Sequence, residues 1–105
     1  MVYDSTQAAL SNRANYSDLK ILKQLYQQYN AWAKIAHTGN QTALAVLTDL
    51  NKGLECLSKS QYYCIYHCLI LGYLQSDVAM DLCITQEGVH KKIQFGLRRI
   101  KKCLM

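Results

Sequence analysis

Proline is absent from this 105-residue sequence, and glycine occurs only five times. Many-turned all-β architectures lean on both residues, so their scarcity argues against a sandwich or barrel. Long apolar runs are missing as well. The longest nearly unbroken one, Cys64 to Leu71, is interrupted by His67 and falls far short of the ~20 residues that span a bilayer. Met1 to Asn15 is polar and lacks the apolar stretch of a secretion signal. The five cysteines are odd in number and have no framework spacing. That pattern predicts reduced thiols in a cytosolic chain and excludes a disulfide-stapled miniprotein. What is present is a 12.0 kDa chain that is 50% hydrophobic. It can bury a modest core and is too apolar for a disordered polypeptide.

The net charge of +5 is unevenly placed. Residues 1–83 hold six basic and six acidic residues, whereas residues 84–105 hold six basic residues against Glu87 alone. A basic segment on one element of an otherwise neutral chain is the electrostatic footprint of phosphate-backbone binding. The same placement also suits a solubilising C-terminal helix whose cations lie favourably on its dipole.

Three segments follow from the apolar periodicity. Residues 1–16 show no steady period and are expected to be a loosely held end. Residues 17–56 read as an antiparallel helical hairpin for assembly or partner contact. Ser17 is placed to cap its first helix, whose stripe is Leu22, Leu25, Tyr29, Trp32 and Ala36. Gly39 suits a left-handed end and Asn40 the next N-cap. A second stripe then runs through Ala43, Leu47, Leu50, Leu54 and Leu57. Ser58 and Gln61 have the spacing of a capping box and open a third helix, through Ile65 and Leu69, that Gly72 stops. A short helix fits Ser76 to Leu82, and a final one Thr85 to Cys103 with the stripe Val89, Ile93, Leu97, Ile100 and Leu104. The fold class is all-α.

Residues 57–105 carry the logic of a helix-turn-helix. A short helix has the small Ala79 where two backbones must approach closely, flanked by Val78 and Leu82. After a turn of about three residues, Thr85 caps a helix whose early outward residues are polar: Gln86, Glu87, His90 and Lys91.

Leu57 to Leu104 resembles region four of bacterial sigma factors, the helix-turn-helix that reads the −35 promoter element. The matching residues are Leu57 before the capped helix, Gly72 seven residues before Ala79, and Asp77-Val78 just ahead of that alanine. Ile84-Thr85-Gln86-Glu87-Gly88-Val89 follows, and then the run Leu97-Arg98-Arg99-Ile100-Lys101. Cys83 stands where the family commonly has glycine, and the family's arginine-rich DNA face becomes Gln86, His90 and Lys91. The resemblance implies a three-helix DNA-binding unit, and the chain has no room for the other sigma regions. It looks more like the small stand-alone regulators of phages and mobile elements of Gram-positive bacteria than a complete sigma factor.

The expected roles are those of a helix entering the major groove of double-stranded DNA. Gln86 would pair with an adenine edge, Glu87 would accept from a cytosine amino group, and Lys91 would donate to guanine. His90 would meet a base or a phosphate, and Thr85 with its neighbouring amides suits a phosphate. Gln94 is grouped with this DNA-facing set. Arg98 and Arg99, with Lys101 and Lys102, suit backbone phosphate or an acidic surface of RNA polymerase. The competing expectation of another class is a module that docks on polymerase or a host regulator without specific DNA contact.

Other constellations point to packing. Cys64 and Cys68 share a helical face beside His67, but the remaining candidates, Cys56, Cys83, Cys103, His37 and His90, lack finger-like spacing for a zinc site. Buried thiols are expected instead. Tyr62, Tyr63, Tyr66 and Tyr73 lack the interleaved cations of a stacking platform. Trp32, Tyr26 and Tyr29 are open between core and a homodimer surface. No ordered catalytic set, phosphate-cradling loop or cofactor motif appears, so no enzyme and no cofactor are expected. A membrane partner is not expected either.

Overall fold

Four of the described α-helices begin where a side chain accepts from one of their first amide groups. The computed structural model describes residues 18–104. The loosely held end expected over 1–16, and the cap expected at Ser17, lie outside them. Six α-helices are described, α1 (Leu19–Gln27), α2 (Tyr29–His37), α3 (Gln41–Glu55), α4 (Lys59–Ile65), α5 (Gln75–Leu82) and α6 (Gln86–Leu104). A π-helical segment, Tyr66–Ile70, continues α4. The described residues contain no strand, and none of their helices is long and apolar enough to cross a membrane.

Asp18 caps α1, its carboxylate accepting from the Lys20 amide at 2.9 Å. Asn40 caps α3 by accepting from the Ala43 amide at 2.9 Å. At α4 both halves of the capping box form, with the Gln61 amide donating to Ser58 Oγ and the Ser58 amide donating to Gln61 Oε1. Gly39 (φ +92°) and Gly72 (φ +78°) take the left-handed backbone that glycine adopts without steric cost.

One expectation needs correction at the start of the hairpin. The stripe from Leu22 to Ala36 predicts one helix, but the chain breaks at Gln28, whose amide is shared among the carbonyls of Gln24, Leu25 and Tyr26. The break lets α2 pair with α3 while α1 turns away to pack against α6 and the π segment.

One buried cluster joins all these elements. It contains Leu22, Tyr26 and Trp32, then Val46 and Leu50, then Ile65, Val78, Val89, Ile93, Leu97 and Ile100. It therefore draws on residues from both 17–56 and 57–105. Trp32 and Tyr26 are 2% and 0% exposed, which assigns them to the core of a single chain. The Tyr26 hydroxyl donates to the Leu50 carbonyl at 2.8 Å, and the half-buried Tyr29 donates to Asn51 at 2.7 Å.

Two helical glycines leave room for side chains of neighbouring helices. A Cβ on Gly53 of α3 would meet the Tyr26 hydroxyl and come within 2.6 Å of Ile100 Cγ2. One on Gly96 of α6 would lie 2.6 Å from Ile65 Cδ1. Both glycines accommodate these side chains in helix interiors, at a propensity cost of about 1 kcal/mol each.

The cysteines divide differently from the expectation of free thiols. Cys64 is a buried thiol and Cys68 a half-buried one, as expected, but Cys56 and Cys103 are joined as a disulfide. They are 47 residues apart, so no local spacing announces them. The pairing arises because the end of α3 and the last turn of α6 meet, with Cα atoms 6.7 Å apart, inside the range a disulfide spans.

Candidate nucleic-acid interface

Val78 and Ala79 are the buried residues of α5, and the small Ala79 allows α5 and α6 to approach closely. The end of α5 is a Schellman motif. The Ile84 amide donates to the Ala79 carbonyl at 3.0 Å and the Cys83 amide to the Met80 carbonyl at 3.2 Å. Cys83 takes the left-handed backbone this motif requires (φ 57°), the one described residue other than glycine to do so.

Three residues later the chain is helical again. Thr85 Oγ1 accepts from the Gly88 amide at 2.9 Å, and the Thr85 carbonyl accepts from Val89 at 3.1 Å. A Cβ at Gly88 would sit 3.2 Å from Thr85 Oγ1, a tight contact, and 3.5 Å from Ile84 Cδ1, an ordinary one. The start of α6 is thus held at a defined angle to α5 by hydrogen bonds confined to Ala79–Val89.

The inner face of α6 buries Val89, Ile93, Gly96, Leu97 and Ile100. Thr85, Gln86, Glu87, His90, Lys91, Gln94, Arg98 and Arg99 are all exposed. Five of the eight, Glu87, His90, Lys91, Gln94 and Arg98, recur three or four residues apart and share one stripe. Within it Lys91 Nζ lies 3.8 Å from Glu87 Oε1, and the side chains of His90 and Gln94 meet at 3.3 Å. The Arg98 guanidinium sits 5.6 Å from the centre of the exposed Phe95 ring. Gln86 is the first helical residue, and Thr85 is in the cap.

Arg99 is set apart. It lies about 100° further around the helix than Arg98, away from the stripe. Lys92 likewise turns toward α4, its Nζ donating to Ser60 Oγ at 3.2 Å.

One tyrosine, Tyr63, ties α4 to α5. The Tyr63 ring stacks on His67 at 4.0 Å, and its hydroxyl donates to Asp81 Oδ2 of α5 at 3.3 Å. Partial burial, and then the neighbouring Asp81 carboxylate, push the Tyr63 phenol above its ordinary range. Burial raises the Cys64 thiol, and burial followed by proximity to Cys64 raises Cys68. Among the described residues no three His, Cys, Asp or Glu side chains gather as a metal site.

Sequence reasoning missed one contribution to this surface. A groove between α1 and α6 is lined by Leu19, Lys20, Lys23, Gln94 and Leu97, so two lysines of the first helix adjoin the stripe. Counting charge by segment hides them, because residues 1–83 sum to neutrality. No protein-family model, curated protein or solved structure matches this chain.

Proposed function

We propose that this chain is a cytoplasmic DNA-binding transcription regulator. It reads promoter DNA with α5, the turn and α6 acting as a sigma-region-four-like helix-turn-helix, in the manner of a small stand-alone regulator of a phage or mobile element. The observation that carries the reading is the two-faced start of α6. Val89 and Ile93 anchor one side, the Ala79–Ile84 and Thr85–Gly88 hydrogen bonds hold its angle, Glu87, His90 and Lys91 face outward together, and Gln86 is exposed at the helix start. An α-helix with its side chains, about 10–12 Å across, fits the major groove of B-DNA, about 12 Å wide.

In this mechanism the protein binds and does no chemistry. Gln86, Glu87 and Lys91 meet base edges, while Thr85, Arg98 and the basic end of α6 meet phosphate. His90 and Gln94 hold each other in place along the stripe. Two chains on paired half-sites would place two reading helices about 34 Å apart, so cooperative binding to such sites is the signature of a homodimer.

The test is footprinting on genomic DNA followed by binding to the protected duplex across salt concentrations. Protection of a defined promoter segment, with affinity falling steeply as salt rises, is expected. A flat salt dependence overturns the reading. The exposed Phe95 amid cations favours one rival, in which the same helix docks on an acidic face of RNA polymerase. Substituting Glu87 and Lys91 separates the two. The DNA reader loses sequence preference and keeps polymerase binding, and the adaptor does the reverse.

A further inference from the structure

The helix beside α6 bears on how such a reader would hold DNA. α1 packs against α6, and the groove between them, about 240 Å³, has Lys20 and Lys23 on one wall and Gln94 and Leu97 on the other. Both lysines are exposed, and neither makes an ion pair within the described residues. The one carboxylate close to them in sequence, Asp18, is engaged in capping the Lys20 amide. Gln94, on the opposite wall, belongs to the same outer stripe as Glu87, His90 and Lys91.

Resting on the DNA-reading function proposed above, we infer that Lys20 and Lys23 form a second, sequence-independent contact to the DNA phosphate backbone, supplied by the N-terminal helix. The argument is one of dimensions. A helix in the major groove fills most of its width, so the phosphate rows lie at its two sides. Helices packed together have axes 8–10 Å apart. A neighbour at that distance on the side of Gln94 therefore stands over the groove rim rather than over the bases. Lysine suits that place, being a compact charge on a long stem that meets phosphate without demanding a fixed geometry. The contact would give affinity and register, and leave base choice to α6.

The test compares full-length wild type, Lys20→Gln/Lys23→Gln, and a control, Lys34→Gln/Lys52→Gln, that removes the same charge elsewhere. Fluorescence anisotropy on the footprinted duplex and on a scrambled duplex is followed across salt. The inference predicts that the slope of log affinity against log salt becomes shallower by about two for Lys20→Gln/Lys23→Gln, about one per phosphate contact. Affinity near 0.1 M salt falls about 10- to 100-fold on both duplexes, which leaves the preference between them unchanged. The control keeps the wild-type slope. An unchanged slope in Lys20→Gln/Lys23→Gln, or an equal change in the control, overturns this inference while the reading by α6 stands. A wild type that does not hold duplex DNA at low salt overturns both.

Discussion

Glu87 and Lys91 face each other one turn apart on the outer side of α6, with carboxylate and ammonium 3.8 Å apart and both side chains largely in water. An exposed pair of this kind contributes only about 0.3–0.5 kcal/mol to stability. A base-reading contact discriminates by about 1–3 kcal/mol. Replacing both residues with alanine is therefore expected to leave the melting temperature within a few degrees of wild type. The preference for the protected promoter over a scrambled duplex is expected to fall at least tenfold. Melting curves and competition binding check the two halves, and a large loss of stability with intact preference would reverse the assignment.

The turn before α6 offers a second check. Cys83 carries a left-handed backbone at φ 57°, where a Cβ costs about 1–2 kcal/mol. Cys83→Gly removes that cost but adds freedom to the unfolded chain, for a net gain of about 1 kcal/mol. Cys83→Val, β-branched at the same φ, moves in the opposite direction. Urea midpoints measure both changes, and the two variants shifting alike would contradict the backbone account.

Gly53 is the point where three helices meet. Gly53→Ala drives a methyl into the Tyr26 hydroxyl and Ile100 Cγ2, and the hydroxyl is already committed to the Leu50 carbonyl. Overpacking of this kind costs about 1–3 kcal/mol, more than the helix-propensity gain of about 1 kcal/mol returns. Equilibrium unfolding should record a net loss, and adding Ile100→Val should leave that loss in place because valine keeps the clashing Cγ2.

Stability should fall on the alkaline side. The Cys64 and Cys68 thiols have folded values raised above the ordinary one, mainly by burial, so the folded chain keeps protons that the unfolded chain releases. Their contribution is complete below about pH 8.5 and is lost as pH rises through the raised values. Tyr63, raised in the same sense, adds to the decline above about pH 10. Urea midpoints between pH 7 and 10.5 should descend, and the Cys64→Ala/Cys68→Ala variant should descend later. A level profile in wild type would refute the burial argument.

What was legible in the residues is what depends on near neighbours. Asn40 and Ser58 each satisfy an amide three residues ahead, and Thr85 does the same for Gly88, so these helix starts could be placed from spacing alone. The inner stripe of α6 was equally plain, because one face of a long helix meets one core. The break at Gln28 was not legible, since neither glycine nor proline marks it and only the divergent packing of α1 and α2 explains it. Val46, three residues after Ala43 and four before Leu50, takes the fully buried place on the inner face of α3, whereas Leu47 of the expected stripe is half-buried. Gly53, Gly96 and the Cys56–Cys103 pair depend on helices distant in sequence crossing at one place. The outward residues of α6 were readable as a set, but their flank of α1 lysines was not.

The underside of α6 is clothed by residues far upstream: Tyr26 and Gly53 lie against Ile100, and Leu19 lines a groove with Leu97. A fragment cut at Leu57 would begin life with that flank bare. Greasy side chains would face water, and the last turns of the helix would lose their backing. Residues 57–105, although their pattern reads as a free-standing unit, are built here to be carried by the arm that precedes them.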